Sequence, residues 1–117
     1  MSVDIATNGD IIIISYLGWS VSFIFKDGVF THFDIPRYKQ VIRPSNGTVS
    51  YDDQKETFIN LTLTKGFPSV DIGKMNKDQS FGDYASVRLT KSGYEVRDSS
   101  IGNKSFRKVF YHLECNS

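Results

Sequence analysis

The sequence has little of several things: one cysteine, three prolines, two histidines and a formal net charge of only +1 over 117 residues. The single cysteine, Cys115, excludes an intramolecular disulfide and a zinc site built from thiolates, so we expect a reducing, cytoplasmic environment. Few prolines and an apolar fraction of 39% are typical of an ordered domain rather than a disordered or collagen-like chain. The length predicts one domain, residues 1–117, whose core needs no covalent staples.

The charge and the hydropathy pattern also exclude classes of partner. Fourteen basic and thirteen acidic residues leave no excess of the kind that draws a chain to nucleic acids or to acidic membranes. Asp4 stands where a signal peptide would be positive, and the apolar run Ile11–Ile14 is too short for a signal peptide's apolar region. No run approaches the roughly 18 apolar residues that a membrane helix needs. We therefore expect no membrane partner and little affinity for nucleic acid.

Short stretches of alternating apolar and polar residues, separated by glycine turns, predict an antiparallel β-structure. Turn signals that permit the positive φ angles of tight hairpins occur at Asn8-Gly9, Asp27-Gly28, Asn46-Gly47, residues 91–93 and Gly102-Asn103. Strands are expected near residues 3–7, 10–16, 20–26, 29–34, 39–43, 48–51, 57–64, 84–90, 94–98 and 105–113. The predicted fold class is all-β: a meander of hairpins that closes into a β-sandwich or a small barrel.

Two segments also fit helical structure. Residues 36–42 are compatible with one helical turn, with Asp34 as its cap and Pro36 in the first turn. The spacing of apolar residues in 105–113 fits a helix face as well as a strand, and the alternatives stay open on spacing alone. Its valine, phenylalanine and tyrosine residues favour the strand.

The stretch 66–82 is expected to be the longest loop, because Pro68, Gly73 and a polar run interrupt it. It has room for a short strand at residues 70–72. Long loops in compact domains often carry function.

The sequence contains no nucleophile elbow, no glycine-rich phosphate loop and no pair of histidines at metal-ligand spacing. His32 and His112 could act as base and acid in RNA cleavage if the fold brought them together. Each has a carboxylate two residues away, Asp34 or Glu114, on the same face of a strand. Two outward histidines also arise by chance in a domain of this size. We therefore predict no enzymatic activity, no catalytic residue, no metal site and no cofactor.

Single-strand nucleic-acid binding is an alternative, because two basic clusters have aromatic neighbours that could stack on bases. The clusters consist of Arg37, Tyr38, Lys39 and Arg43, and of Lys104, Phe106, Arg107, Lys108 and Tyr111. The balanced charge of the whole chain favours a simpler interpretation, in which these residues form solvated strand faces beside core aromatics.

Aromatic residues make up 14% of the chain: nine phenylalanines, six tyrosines and one tryptophan. If they pointed into a barrel they could enclose a small apolar ligand, which is a further alternative. Tyrosine and tryptophan also anchor protein interfaces, where a rigid ring is buried and its polar end stays bonded. The number of tyrosines is compatible with an interaction surface and, equally, with rings that cover sheet edges or the periphery of the core.

The leading prediction is a non-enzymatic protein-binding module, a small inhibitor or immunity-type protein that covers the active site of a toxin such as a nuclease. The size, the missing catalytic motifs and the two-signed surface favour this interpretation. Acidic side chains would face a basic active site, and aromatic side chains would anchor the contact. The candidate binding residues are Asp52, Asp53, Glu56, Tyr38, Tyr51 and Trp19.

Overall fold

The computed structural model describes residues 3–38, 40–42, 47–52, 56–76, 81–90, 93–98 and 107–111, with the backbone alone for residues 38, 40–41, 81 and 107–111. The strands in this part are β1 (Asp4–Asn8), β2 (Ile11–Tyr16), β3 (Trp19–Lys26), β4 (Val29–Ile35), β5 (Gln40–Ile42), β6 (Gly47–Asp52), β7 (Thr57–Thr64), β8 (Phe67–Met75), β9 (Phe81–Thr90), β10 (Gly93–Asp98) and β11 (Arg107–Tyr111). A short 3₁₀ helix, Pro36–Tyr38, stands between β4 and β5.

The strands form two antiparallel sheets, each built from consecutive strands. Sheet 1 has the order β1-β2-β3-β4-β5, and sheet 2 has the order β6-β7-β8-β9-β10-β11. The chain therefore completes one meander, crosses over, and builds a second. The predicted all-β fold class is confirmed in its sandwich form, and the ambiguous segment 105–113 contains a strand.

The core lies between the two sheets and is filled by every second residue of their strands. On β2 these residues are Ile12, Ile14 and Tyr16, and on β8 they are Val70 and Ile72, all buried. Successive side chains of a strand point to opposite faces, so a period of two turns one row into the core and the other outward. The aromatic rings of Phe23, Phe30 and Phe33 meet edge to face or tilted, with centroids 4.8–6.3 Å apart.

Three hairpin turns share one geometry, in which both central residues have positive φ. The φ angles are 50° and 80° at Leu17-Gly18, 53° and 78° at Asp27-Gly28, and 52° and 82° at Lys65-Gly66. The sequence predicts the Asp27-Gly28 turn. It gives little sign of the other two, because leucine and lysine seldom adopt positive φ.

Other glycine turns agree with the prediction or depart from it. Asn8 pairs with Ile11 across the β1–β2 turn, which confirms the hairpin at Asn8-Gly9. The hairpin predicted at Asn46-Gly47 is wrong, because Gly47 begins β6 and β5 lies in the other sheet. Asn46 itself, like Gly102-Asn103, lies outside the described residues.

The expected long loop at 66–82 is also wrong, since β8 occupies Phe67–Met75 and lies between β7 and β9. Pro68 pairs with Leu63 of β7, but it has no partner on β9, because pairing between β8 and β9 starts at Ser69. The missing N–H of the proline therefore interrupts no bond to β9. Gly73 is tolerated because neighbouring aromatic rings occupy the space above it.

Two hydrogen bonds join the sheets. The indole Nε1 of Trp19 on β3 donates to Oγ1 of Thr57 on β7 at 3.1 Å. The backbone N–H of Val3 donates to Oδ2 of Asp98, a buried carboxylate on β10, at 2.9 Å. Polar groups buried between sheets need such partners, so these bonds also fix how the sheets align.

Candidate functional site

A groove of about 630 Å³ lies on the outer face of sheet 2 in the described part of the chain, and it is lined by residues of β7, β8, β9 and β10. The alternation of each strand explains why its lining is polar. On β9, Val87 and Leu89 are buried in the core, so Ser86 and Arg88 point away from it. The groove is therefore formed by the polar row of each strand.

The strand register arranges these outward residues in two rows that run across the sheet. One row contains Thr62, Ser69, Arg88 and Glu95 on successive strands. The next row contains Asn60, Asp71, Ser86 and Arg97. Directly opposed residues have their Cβ atoms about 5 Å apart, so each row presents closely spaced donors and acceptors.

Two arginines at one side of the groove share a single carboxylate. Oε1 of Glu95 accepts from Nε of Arg97 at 3.0 Å and lies 2.9 Å from an Nη of the same guanidinium. The same oxygen lies 3.6 Å from an Nη of Arg88. The Glu95 side chain is only 12% exposed, whereas those of Arg88 and Arg97 are 56% and 47% exposed. Glu95 therefore holds both guanidiniums in place while much of each stays open to solvent.

The groove also contains a tyrosine that is bonded to an aspartate. The hydroxyl of Tyr84 donates to Oδ1 of Asp71 at 2.9 Å. Partial burial raises the pKa of Tyr84 from 10.0 to about 12, and the negative charge and hydrogen bond of Asp71 add to the effect. Tyr84 is therefore a neutral hydrogen-bond donor at physiological pH, not a base or a nucleophile.

The side chains of Phe58 and Tyr84 both lie over Gly73, on the outer face of sheet 2. A Cβ atom placed on Gly73 would lie 2.6 Å from Cζ of Phe58 and 3.2 Å from Cδ2 of Tyr84. Gly73 pairs with Phe58 on one side and with Tyr84 on the other, so the two rings meet over the bare glycine. This aromatic cover, made of Phe58 and Tyr84 over Gly73, shields backbone that no side chain of its own protects.

The chemistry of the groove is hydrogen bonding and charge pairing. Its lining contains hydroxyls, guanidiniums, an aspartate and a lysine, but neither histidine nor cysteine. Among the residues that the structure describes, no group of three or more histidine, cysteine, aspartate or glutamate side chains is arranged to hold a metal ion. The groove suits recognition of a polar ligand.

The candidate residues from the sequence whose side chains the structure describes, Trp19, Tyr51, Asp52 and Glu56, lie outside the groove. Trp19 is 1% exposed and belongs to the core, and the guanidinium of Arg37 lies 5.0 Å above its ring. Tyr51 is half-buried and packs against the core. Asp52 ends β6 and Glu56 precedes β7, and both are exposed. Glu56 is next to the threonine that binds Trp19, so part of the predicted set does lie at one end of the sandwich.

The remaining predicted residues carry less structural information. Asp53 lies outside the described residues, and Tyr38 is described by its backbone in the 3₁₀ helix. His32 lies on the outer face of sheet 1, with Nδ1 2.8 Å from the hydroxyl of Thr31. His112 is outside the described residues, so the pairing of the two histidines stays a prediction. In the two basic clusters, the structure does not describe Lys39, Arg43, Lys104 and Phe106, and it describes only the backbone of Tyr38, Arg107, Lys108 and Tyr111. Nucleic-acid binding by these clusters therefore also stays a prediction.

The sequence does hold a signal for the groove residues. Tyr84, Ser86 and Arg88 form the polar row of a strand that alternation predicts, and Glu95 and Arg97 form that of the next. The signal is lost when residues 66–82 are taken as a loop, because β8 then no longer connects these rows to β7. Without the central strand, no continuous face is visible.

No family model, curated protein or solved structure matches this chain. Among the described residues there is also no helix with the length and apolar character needed to cross a membrane.

Proposed function

We propose that the protein is a non-enzymatic protein-binding module, and that an extended segment of its partner lies in the groove of sheet 2. One observation carries this proposal: the open groove of about 630 Å³ whose two rows of polar side chains cross four strands. Binding sites commonly have volumes of roughly 300–1,000 Å³. An extended peptide can match such rows, because its own amide groups repeat as regularly as the rows do.

The composition of the groove favours a peptide over other ligands. Asp71 and Glu95 lie among its cations, and these carboxylates would repel the continuous phosphates of a nucleic acid. Hydroxyl and charged side chains outnumber the apolar Phe67 and Leu89 in the lining, whereas a small apolar ligand needs a mainly apolar cavity. Hydroxyls such as those of Ser69 and Ser86 both donate and accept, which suits the alternating N–H and C=O groups of a peptide backbone.

An inhibitor or immunity-type role is a narrower form of the same proposal. Asp52 and Glu56 are exposed and lie at the end of sheet 2 where β6 and β7 are joined. A partner with a basic active site would be attracted to these carboxylates while its extended segment occupied the groove. Replacing both with the corresponding amides would then slow association more than it speeds dissociation.

Selection of a random-peptide library on the purified protein tests the proposal. We expect enriched peptides to bind with NMR shift changes confined to outward residues of β7 to β10. Ser86→Trp, which fills the groove, should abolish their binding, and Ser20→Trp, on the outer face of sheet 1, is the matched control. Failure to enrich any peptide, or peptides whose shift changes lie on sheet 1, would show that the groove is not the binding face.

A further inference from the structure

The arrangement of Arg88, Arg97 and Glu95 points to the chemical identity of the partner. We infer that the groove recognises an acidic side chain in the partner's extended segment, whose carboxylate binds between the guanidiniums of Arg88 and Arg97. This inference rests on the proposed function and specifies which peptide the groove selects.

The first argument is that the two guanidiniums are already held together. Without a counter-ion, two arginines on neighbouring strands would repel one another. Glu95 removes that cost, since one of its oxygens lies 2.9 Å and 3.6 Å from the two groups. A guanidinium has five N–H donors, so contact with one carboxylate oxygen leaves donors on both groups for a second oxyanion.

The second argument is the balance of charge in the groove. Its lining and the glutamate together contain three cations, Arg88, Arg97 and Lys65, against two carboxylates, Asp71 and Glu95. Asp71 accepts a hydrogen bond from the hydroxyl of Tyr84. One negative charge from the partner would therefore neutralise the groove, whereas a lysine or arginine from the partner would leave it more positive.

The third argument is that hydroxyl groups lie next to both arginines. Ser69 is directly opposite Arg88 on β8, and Ser86 is directly opposite Arg97 on β9. The Ser86 hydroxyl already bonds to Tyr84, whereas the Ser69 hydroxyl is a donor that can complete the hydrogen bonding of a carboxylate oxygen. A carboxylate bound here would gain charge-assisted bonds from two strands and a neutral bond from Ser69.

Glu95 acts as a positioning residue in this site, because it touches the arginines rather than the ligand. A single-charged carboxylate also fits this surrounding better than a phosphoryl group. Two negative charges would face Glu95 and Asp71 in the same groove. We therefore assign the site to aspartate or glutamate side chains of a protein partner.

The test compares three synthetic peptides of equal length: a Ser-Glu repeat, a Ser-Gln repeat and a repeat of serine and phosphoserine. Binding is followed by NMR through the backbone amides of β8 to β10 and the Nε–H group of Arg97. We expect the Ser-Glu peptide to shift the Arg97 Nε–H signal and to bind about tenfold or more tightly than the Ser-Gln peptide, as is typical of a charge-assisted hydrogen bond.

Variants separate charge from geometry. Arg97→Lys keeps the charge but loses the fork of donors, and should weaken the Ser-Glu peptide about tenfold while leaving the Ser-Gln peptide unchanged. Lys26→Asn removes an exposed cation from sheet 1, outside the groove, and should change affinity less than about twofold. Glu95→Gln should broaden the Arg97 Nε–H signal in the free protein, and Glu95→Asp should partly restore it.

The outcomes distinguish the two proposals. If the Ser-Glu and Ser-Gln peptides bind in the groove equally well, the inferred preference for an acidic side chain is wrong, and the proposal that the groove binds a peptide is retained. If the phosphoserine peptide binds more than about tenfold tighter than the Ser-Glu peptide, the carboxylate assignment is wrong. If neither these peptides nor those from the library perturb the groove, both proposals fail.

Discussion

The substitution Gly73→Ala tests whether the outer face of sheet 2 is packed as described. The new methyl group would lie 2.6 Å from Cζ and 2.9 Å from Cε1 of Phe58, although carbon atoms in contact prefer about 3.5–4.0 Å. The Phe58 ring must therefore move by about 1 Å, and overpacking of this kind costs about 1–3 kcal/mol. The backbone itself accepts alanine, since Gly73 does not require positive φ.

The same substitution should behave differently when the ring is absent. In a Phe58→Ala background the methyl group has space, and alanine is favoured over glycine within a strand by about 0.5–1 kcal/mol. We therefore expect Gly73→Ala to be neutral or stabilising there, which gives a coupling free energy of about 1–4 kcal/mol between the two sites.

Urea unfolding followed by the fluorescence of Trp19, the single tryptophan, measures all four proteins of this cycle. Gly82→Ala is the matched control, because a methyl group at Gly82 would meet its nearest atom at 3.3 Å. We expect that control to leave the free energy of unfolding unchanged or to raise it by up to about 1 kcal/mol. Additive effects of Gly73→Ala and Phe58→Ala, within about 0.5 kcal/mol, would refute the aromatic cover over Gly73.

Three further predictions concern the bonds between the sheets and the titration of the groove. Thr57→Val should destabilise the fold by about 1–3 kcal/mol in urea unfolding because it leaves the indole N–H of Trp19 buried without this acceptor, whereas Thr57→Ser should cost far less. Asp98→Ala should speed hydrogen exchange of the Val3 amide about tenfold or more, and unchanged exchange would contradict the bond between them. The raised pKa of Tyr84 disfavours its ionisation in the folded state, so the stability it contributes is present below pH 10 and lost as the pH rises towards about 12. Absorbance titration should show a late tyrosine ionisation that disappears in Tyr84→Phe, and an unchanged curve would refute this assignment.

Period-two alternation was sufficient to predict most strands, because each buried row had to face a shared core. Residues 57–64 are a case where the predicted and observed strands coincide. Hairpins were harder to predict, since the turn at Lys65-Gly66 places a lysine at positive φ. The strain of that residue is offset by the pairing of β7 and β8 on either side, which local sequence does not reveal.

Sequence reasoning missed β8 because it weighs residues singly. Pro68 and Gly73 both oppose a central strand when considered alone. Pro68 is accommodated by where pairing with β9 begins, and Gly73 by the ring of Phe58. Both reasons depend on tertiary contacts, which the local sequence does not reveal. The groove was missed for the same reason. Arg88 and Arg97 belong to a continuous polar face only when β8 lies between β7 and β9.

The aromatic residues show a second limit. Composition indicated that some tryptophan and tyrosine would anchor a partner, but the ring of Trp19 and that of Tyr94 are buried in the core. The side chain of tryptophan serves both roles equally well, so its type alone does not distinguish core from interface. The acidic residues Asp52 and Glu56 are exposed, and their role in binding stays a prediction.

Site-specific photo-cross-linking in the native cell tests the central claim, that the groove of sheet 2 holds a segment of a partner protein. A photoreactive residue at Ser86 lies in the groove, and the same residue at Ser20 lies on the outer face of sheet 1. The account predicts that Ser86 cross-links to one protein, within an extended segment that carries an aspartate or glutamate, and that Arg97→Gln abolishes the product. Cross-links from Ser20 alone, or from Ser86 to nucleic acid, would contradict it.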